Sequence, residues 1–523
     1  MSYVNDIRKL TRKQTNLIRV GMDNIDYWLC DGEPPTDQYY YSCVNNIDWI
    51  PSRATIDGGL GYFGEIVLSC QDFNTGSSGT FFGKMLASNT YYLNRLLDVY
   101  VGYYERGDTF SLSNFQKRTY FLKRIDGPDQ NGRVKIYASD IISRLKESEV
   151  PAATNGHLSV SITDSTTGTI NITDNTGFSA GGGYAIIEDE IVSYTGVSGA
   201  DSITGVVRAQ GGTDAEAHDA NSPARNIYTN LSTNVVDAIR DLIEDFTDID
   251  HATYLPDADW DTQRDNYLAS ETVDLWVIEP TPVSEVIDQL AEDYFTNIWW
   301  DDANQQIKLK AIGPQLESIV TWTDEANLLN TKINVKRDQK KVLSEVLYFF
   351  GKINKAEGDD AKNFDSVYVN NRASIETALG EKRTKKIFSF AVPTSGTSTA
   401  SKVSGRLIDQ NEVPLELTCY VDAIDSGVDI GDAVSIETDL IQDKNGARQA
   451  TIMRVIEKAQ KENNRYFYKL IKTGQEIIDR YGAITPNTMG EYASESDINK
   501  SNYAFISDND PDMSNGDTPY LIL

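Results

Sequence analysis

Ile56-Asp57-Gly58-Gly59-Leu60-Gly61 opens the stretch of sequence that decides the fold. A strand-like run ending in Cys70-Gln71-Asp72-Phe73 follows it, and Gly79-Thr80-Phe81-Phe82-Gly83-Lys84 comes before Tyr91-Tyr92-Leu93. Glycines beside β-branched and aromatic residues are typical of tight turns that join paired strands. The stretch therefore predicts a glycine turn, a strand and a second, aromatic turn, and it places no group for catalysis.

The same glycines match the spacing of a dinucleotide-binding loop. Gly59, Gly61 and Gly64 satisfy G-x-G-x-x-G, but that fingerprint requires a strand before it and a helix after it. The segment that follows, residues 65–69, is rich in β-branched residues and predicts a strand. The glycines are therefore interpreted as structural.

The composition favours a large protein dominated by strands. The chain has 523 residues, and ordinary domain sizes correspond to about three to five domains for such a length. Thr, Val, Ile and the 28 tyrosines cluster between Gly, Asn and Asp turns, which favours half-buried sheet surfaces. No run of eighteen apolar residues occurs, and the amino terminus lacks the apolar block of a signal peptide. We expect no transmembrane segment and synthesis in a cytoplasm.

The net charge of −30 is concentrated in one region. Between residues 231 and 302, nineteen Asp or Glu stand against only Arg240 and Arg264, and 19 − 2 leaves an excess of 17 negative charges. Such a field repels nucleic acid, so we expect no sequence-specific nucleic-acid binding. The region is either a repulsive lining of a DNA channel or an ordinary solvated face, and the sequence leaves both open.

Cysteines and histidines give no sign of a metal centre or of catalysis. The four cysteines, Cys30, Cys43, Cys70 and Cys419, include no C-x-x-C pair, so buried reduced thiols are the favoured interpretation. His157, His218 and His251 stand in polar, turn-like sequence without a nucleophile motif. We therefore expect no catalytic, cofactor-binding or metal-binding residues.

Carboxylates leave one alternative open. Glu188-Asp189-Glu190 falls at a predicted turn between two strands, where hairpin chemistry explains it. A glycosidase needs only two carboxylates, however, and sequence alone cannot pair them. A glycan-binding or glycan-hydrolysing adhesin therefore remains the alternative to a structural protein without catalytic activity.

Changes of composition divide the chain into five regions. They are a β-barrel domain at 1–150, a small all-β insertion at 154–228, an α+β accessory domain at 229–325, a second β-barrel domain at 326–473 and an extended tail at 474–523. Consecutive alternating strands joined by tight turns favour a closed barrel for the fourth region. The barrel assigned to the first region is what the family resemblance given below implies. The predicted fold class is mainly β with an α+β accessory region.

Periodicity places helices and basic segments along this plan. Helices are predicted at Ser139–Leu145, at Asn234–Phe246 with Ser232 or Thr233 as its cap, from Thr281 with Pro282 in its first turn, and at Ser401–Leu407. The basic residues of the opening segment, which predict a solvated helix face, are Arg8, Lys9, Arg12, Lys13 and Arg19. A basic turn is predicted at Lys382–Lys386.

The tail contains an internal repeat. Tyr481-Gly482-Ala483-Ile484-Thr485-Pro486-Asn487 recurs in looser form as Tyr503-Ala504-Phe505-Ile506-Ser507-Asp508-Asn509. Two copies are too few for a solenoid. We expect the tail to order by docking on a partner or neighbouring subunit. The predicted anchors are Tyr481, Ile484, Tyr503, Phe505, Ile506, Tyr520 and Leu521.

Across residues 43–150, 230–350 and 405–523 the sequence resembles the tail hub proteins of long-tailed bacteriophages of the siphophage type. The features that carry the resemblance are the glycine and aromatic turns of residues 56–84, the helix and Trp299-Trp300 strand before an Asp turn, and the terminal Tyr-Gly-x-Ile-x-Pro-Asn and Gly516-Asp517-Thr518-Pro519-Tyr520 motifs. Residues 184–218 resemble an insert found in many phage tail proteins.

The resemblance implies a structural virion protein at the tail tip, assembled in the host cytoplasm. It implies a homotrimer in which each subunit supplies two tube-like β-barrels, so that six barrels meet the hexameric tail tube. Implied partners are the distal tail and tail tube proteins, the tape measure protein, and tip or fibre proteins. Some such proteins hold an iron–sulfur cluster, and the resemblance leaves that role open for Cys30, Cys43 and Cys70.

Overall fold

Strands outnumber helices in the computed structural model, which confirms the predicted mainly β class. The structure describes residues 14–472 apart from 24, 33–39, 77, 104–109, 303, 314–317, 330–331, 413 and 462–464, together with the backbone of 483–484 and 503–504. The chain forms two compact units, Met1–Gly474 and Gln475–Leu523.

The amino-terminal region, up to residue 150, builds an eight-stranded, mostly antiparallel sheet. The elements are β1 (Gln14–Gly21), β2 (Asp26–Cys30), β3 (Tyr41–Ser42), β4 (Val44–Ile50), β5 (Gly59–Leu60), β6 (Glu65–Gln71), α1 (Phe81–Ser88), β7 (Leu96–Tyr103), β8 (Gln116–Asp126), β9 (Arg133–Ser139) and β10 (Glu149–Val150). The order across the sheet is β3-β2-β1-β7-β8-β9-β6-β4. Leu29 and Val44, from opposite ends of that order, share one buried cluster, so the sheet bends around its core.

Two sequence predictions for this region are wrong. The predicted aromatic turn is helix α1, because Phe81, Phe82 and Met85 bury one helical face and Asp72 Oδ1 accepts a hydrogen bond from Phe82 N at 2.9 Å. Arg19 lies on strand β1 and pairs with Asp98 rather than standing on a helix. The predicted short helix is present as a 3₁₀ turn at Ile141–Lys146.

The insertion forms part of a seven-stranded sheet with the order β11-β15-β13-β12-β16-β17, where β17 is Thr272–Val277, and with β14 paired to β15. Its strands are β11 (Gly168–Asn171), β12 (Gly183–Ile187), β13 (Glu190–Tyr194), β14 (Gly196–Ser198), β15 (Ser202–Gln210) and β16 (Ala224–Asn234). Strand β16 continues past residue 228, where its register pairs Tyr228 with Val277.

The α+β region contributes much of the largest hydrophobic cluster in the described part of the chain. Its elements are α2 (Val235–Phe246), α3 (His251–Tyr254), α4 (Asp257–Tyr267), β17 (Thr272–Val277), β18 (Thr281–Pro282), α5 (Val283–Asp293), β19 (Thr296–Asp301) and β20 (Gln306–Ala311). Two helix starts differ from prediction. Asn234 caps α2 by accepting from Val236 N, and α5 begins at Val283 because Thr281 and Pro282 pair with β10.

The remaining strands divide between two sheets. The elements are β21 (Val320–Thr323), β22 (Asn334–Arg337), β23 (Glu345–Lys352), β24 (Phe364–Asn371), α6 (Ala373–Leu379), β25 (Thr384–Phe388), α7 (Thr397–Glu412), β26 (Leu415–Asp422), β27 (Ala433–Glu437), β28 (Thr451–Lys461) and β29 (Arg465–Lys472). One sheet has the order β21-β27-β28-β29-β26-β22, and the other has the order β24-β23-β25. The predicted basic turn is therefore mostly strand β25, which stacks Phe388 on Phe349 at 4.7 Å between ring centroids.

The predicted closed barrels are not found among the described residues. In the first sheet the order ends at β3 and β4, and in the six-stranded sheet it ends at β21 and β22, with no pairing between the ends in either. Closure depends on pairing between distant strands, which alternation within each strand does not encode.

The second unit is described only through two backbone segments. Strands β30 (Ala483–Ile484) and β31 (Tyr503–Ala504) come from the two copies of the repeat and pair in parallel. The side chains of all the predicted anchors lie outside the described residues, so their docking stays a prediction.

Candidate functional site

The glycine turn at Gly58–Gly61 docks on α5 and β19. Strand β5 pairs in parallel with β19, and Leu60 N donates to Asp288 Oδ1 at 2.7 Å. Gly58 has φ of +91°, and a Cβ there would lie 3.1 Å from the carbonyl oxygen of Ala291. Both the positive φ and the close backbone approach require glycine. The turn therefore serves to pack this segment against α5 and β19.

The residues just before that turn reach the six-stranded sheet and α7. The carbonyl oxygen of Ile56 accepts from Gln410 Nε2 at 2.6 Å and from Arg454 Nη2 at 3.3 Å. Burial lowers the pKa of Arg454 to about 10. Lys385 Nζ lies 3.0 Å from Asp57 Oδ2.

Residues 52–54 add contacts with the α+β region and the six-stranded sheet. Ser52 Oγ donates to the carbonyl oxygen of Trp300 at 2.8 Å, and Ala54 N donates to the carbonyl oxygen of Ile456 at 3.0 Å. We call residues 52–61 the seam, because this one segment follows strand β4 of the first sheet and makes polar contacts with the α+β region, α7 and the six-stranded sheet.

Two buried carboxyl groups stabilise the surroundings of the seam. Asp140 accepts from the backbone of Gly64 and Ile142, and burial raises the pKa of Asp140 to about 8. Asp293 accepts from Ser389 Oγ at 2.7 Å, and burial raises the pKa of Asp293 to about 7. Both groups accept hydrogen bonds from backbone or hydroxyl donors, which is a structural role.

A cleft of about 400 Å³ opens where the two large sheets meet beside the seam. It is lined by the end of β4 with residues 51–52, the start of β8, the end of β19 with the turn after it, residues 423–430, the end of β28 and the start of β29. Arg118 Nη1 lies 3.3 Å from Asp302 Oδ2, and Lys458 Nζ lies 2.6 Å from Asp429 Oδ1. The sequence did not predict this cleft, because its walls come from segments that are far apart along the chain.

The insertion contains a buried ionic network around Glu190. Arg208 donates to both Glu190 oxygens, with Nε to Oε1 at 2.6 Å, and His218 Nε2 lies 2.9 Å from Oε2. The other ring nitrogen of His218 lies 2.7 Å from Glu188 Oε2. Burial alone raises the pKa of Glu190, but hydrogen bonds from Arg208 and His218 outweigh it and lower that pKa to about 2. Glu188 and Glu190 of the sequence motif therefore both have a structural role.

The cysteines are all buried free thiols. A side-chain hydrogen bond to Cys43, together with burial, raises the pKa of Cys70, and burial raises the pKa of Cys419 to about 12. Protonated thiols of this kind are unreactive. Within the described ranges no three His, Cys, Asp or Glu side chains are grouped as metal ligands are.

The acidic region is partly neutralised by cations from inside and outside it. Arg240 and Arg264 share Asp237 and Asp261. Residues beyond the region supply further pairs, among them Arg144–Asp248, Lys308–Asp259, Lys355–Asp274 and Lys402–Glu271.

Among the residues that the structure describes, none of the helices combines the length and the hydropathy of a membrane span.

No protein-family model and no curated protein matches the sequence. Solved structures are similar to it over most of its length, and three of them are tail proteins. A tail protein from Neisseria meningitidis MC58 has 10% identity, covers 88% of this chain and 96% of its own, and gives a TM-score of 0.43. Prophage tail protein gp18 from Listeria monocytogenes EGD-e has 12% identity, 88% and 96% coverage, and a TM-score of 0.40. The 43 kDa tail protein of prophage MuSo2 from Shewanella oneidensis has 8% identity, 88% and 98% coverage, and a TM-score of 0.42.

Proposed function

We propose that this chain is a structural, non-enzymatic protein of a phage tail that acts as the hub at the tail tip. The observation that carries the proposal is the seam. One chain supplies an eight-stranded and a six-stranded sheet, and residues 52–61, which follow strand β4 of the first sheet, contact both the α+β region and the six-stranded sheet. A subunit built this way presents two β-domains as one rigid part.

Threefold symmetry would allow such a subunit to connect a sixfold structure to a threefold one. Three copies around a threefold axis present six β-domains, which matches a sixfold tail tube above and threefold tip or fibre proteins below. In this proposal residues 1–150 and 326–473 face the distal tail and tail tube proteins, residues 229–325 connect them, and residues 154–228 are an exposed insertion. The tape measure protein is the expected partner on the axis.

The net negative charge of the acidic region is consistent with a position beside a passage for DNA. Because Arg240 and Arg264 are both occupied by neighbouring carboxylates, neither is available as a free cation for phosphate. A wall of net negative charge would let DNA pass without binding it. We propose that residues 231–302 contribute to that wall.

The oligomeric state tests the proposal. Mass photometry of the full-length chain, alone and mixed with the matching tail tube protein, should give a particle of three chains of 58.2 kDa each. Electron-microscopy class averages along its axis should show six β-domain densities around a channel. A monomer inside intact tails would contradict the proposal.

A further inference from the structure

The cleft between the two sheets contains buried polar groups that the described part of the chain leaves without partners. Gln460 is 3% exposed, yet neither its amide nitrogen nor its carbonyl oxygen has a hydrogen-bond partner among the described residues. Trp300 is 1% exposed, and its indole nitrogen also has none within those residues. Both side chains line the cleft. Because buried donors and acceptors in folded proteins are almost always satisfied, these groups indicate a ligand or bound water.

The charges in the cleft exclude an anionic ligand. Three carboxylates, Asp301, Asp302 and Asp429, stand against Arg118 and Lys458, so 3 − 2 leaves one negative charge in excess. Each cation is already within ion-pair distance of a carboxylate, Arg118 with Asp302 and Lys458 with Asp429. A phosphate or nucleic-acid strand would find no net attraction here. Because the groups without partners, the Gln460 amide and the Trp300 indole, are themselves uncharged, a neutral ligand fits them best.

The remaining lining combines aromatic rings with planar polar groups. Trp49, Trp299 and Tyr466 contribute rings, and Gln116, Asn304 and Gln460 contribute amides that both donate and accept. Sugar hydroxyls also donate and accept, and the C–H faces of a sugar ring pack on aromatic rings. The cleft volume of about 400 Å³ lies in the range of roughly 300–1,000 Å³ that is usual for small-molecule sites.

We propose that this cleft binds a neutral saccharide of one or two sugar units, with the Gln460 amide as its central hydrogen-bonding group. The site lies at the junction of the two sheets and uses none of the carboxylates of the insertion. The proposal goes beyond the hub function, and neither depends on the other.

Saturation-transfer NMR and calorimetry on the full-length chain test the proposal. The neutral probes are glucose, galactose, N-acetylglucosamine, rhamnose and maltose, the anionic probe is glucuronate, and the peptide probe is N-acetyl-glycyl-glycinamide. We expect at least one neutral sugar to bind, and glucuronate to bind more weakly than its neutral counterpart glucose. Binding of the peptide probe alone, or no binding of any sugar because water fills the cleft, would overturn the proposal.

Matched variants locate the binding. Gln460→Leu keeps the side-chain size and removes the amide, so we expect about a tenfold loss of affinity without a lower melting temperature, since it also removes unsatisfied polar atoms. Gln449→Leu, on an exposed residue outside the cleft, is the control and should bind as the unaltered chain does. Asn304→Ala, at an exposed cleft residue, is the second test if Gln460→Leu does not fold. Unchanged affinity in both cleft variants would place the sugar elsewhere and overturn the assignment.

Discussion

At the residue scale, Gly58 is a position of the seam where both the backbone conformation and the neighbouring backbone atoms require glycine. A Cβ there would lie 3.1 Å from Ala291 O and 3.3 Å from Phe295 Cα, in a backbone with φ of +91°. Gly58→Ala should therefore lower the free energy of unfolding by about 1–3 kcal/mol. Urea melts of the purified chain measure the change.

Gly358→Ala is the control for this substitution. A Cβ at Gly358 would meet no atom within 4 Å, and its φ is not positive. Its stability should stay close to that of the unaltered chain. Equal stability of the two variants would mean that the seam tolerates displacement at Gly58.

The Glu190 network makes the insertion sensitive to acid. The folded-state pKa of Glu190, about 2, lies below the ordinary value of about 4.3. A depressed carboxyl pKa stabilises the fold fully above the unfolded pKa, and this contribution is lost as the pH falls towards 2. Hydrogen-exchange protection of residues 185–194 should therefore decrease between about pH 4.5 and 2.5.

Glu190→Gln tests the origin of that acid sensitivity. It leaves buried Arg208 without its counter-charge, so the insertion should lose about 3–5 kcal/mol at pH 7 and show a smaller further loss on acidification. Asp189→Asn, at the exposed neighbour, should change neither quantity. An unaltered acid profile in Glu190→Gln would assign the sensitivity to another group.

Residue-level prediction succeeded where the signal was local. The sequence predicted that Glu188-Asp189-Glu190 serves a hairpin, and the structure places Glu188 and Asp189 between β12 and β13 and Glu190 at the start of β13. It did not predict the partners of Glu190, because Arg208 and His218 follow 18 and 28 residues later. The Gln460 cleft was missed for the same reason.

At the element scale, the insertion should be removable. Its own buried cluster contains only residues 158–224, whereas its other face packs through Tyr184 on Trp276 at 4.6 Å between ring centroids. Replacing 154–228 by a short Gly-Ser linker should leave the eight-stranded and six-stranded sheets folded. It should expose Trp276 and shift its fluorescence to the red.

Hydrogen exchange decides between local and global loss. Protection within 65–139 and 415–472 should match that of the full chain, and protection within 272–277 should fall. Loss of protection in all three segments would show that the insertion is part of the folding core.

Elements with strong periodicity were predicted well, and those fixed by distant contacts were not. The helix at 234–246 was predicted to within one residue because its apolar stripe is local. Helix α1 was predicted as a turn, because its amino terminus is held by Asp72, ten residues upstream. Strand β25 was predicted as a turn because of its basic residues. Its parallel pairing with β23 cannot be predicted from the local sequence, because β24 and α6 lie between the two strands along the chain.

At the scale of the whole molecule, the acidic tail is the part for which the sequence predicts docking on a partner. Residues 476–523 carry nine Asp or Glu against Arg480 and Lys500, with Tyr, Ile and Phe at intervals. Such a segment is too polar to fold alone, and its spaced apolar residues favour docking on a neighbouring surface. A boundary between compact units falls at Gly474 and Gln475, directly before it.

Truncation after Gly474 separates folding from assembly. Because the buried clusters of the described residues all lie before that boundary, the truncated chain should melt as the full chain does and assemble to the same number of subunits. Assembly with tip or fibre proteins should fall, measured by the yield of complete tails in a phage that carries the truncation. A full-length control with Tyr481, Tyr503 and Tyr520 changed to Ser keeps the tail's length and charge, and it should show the same assembly defect if these aromatic anchors carry the docking. Normal yields of infectious tails from both variants would show that the tail is dispensable for attachment.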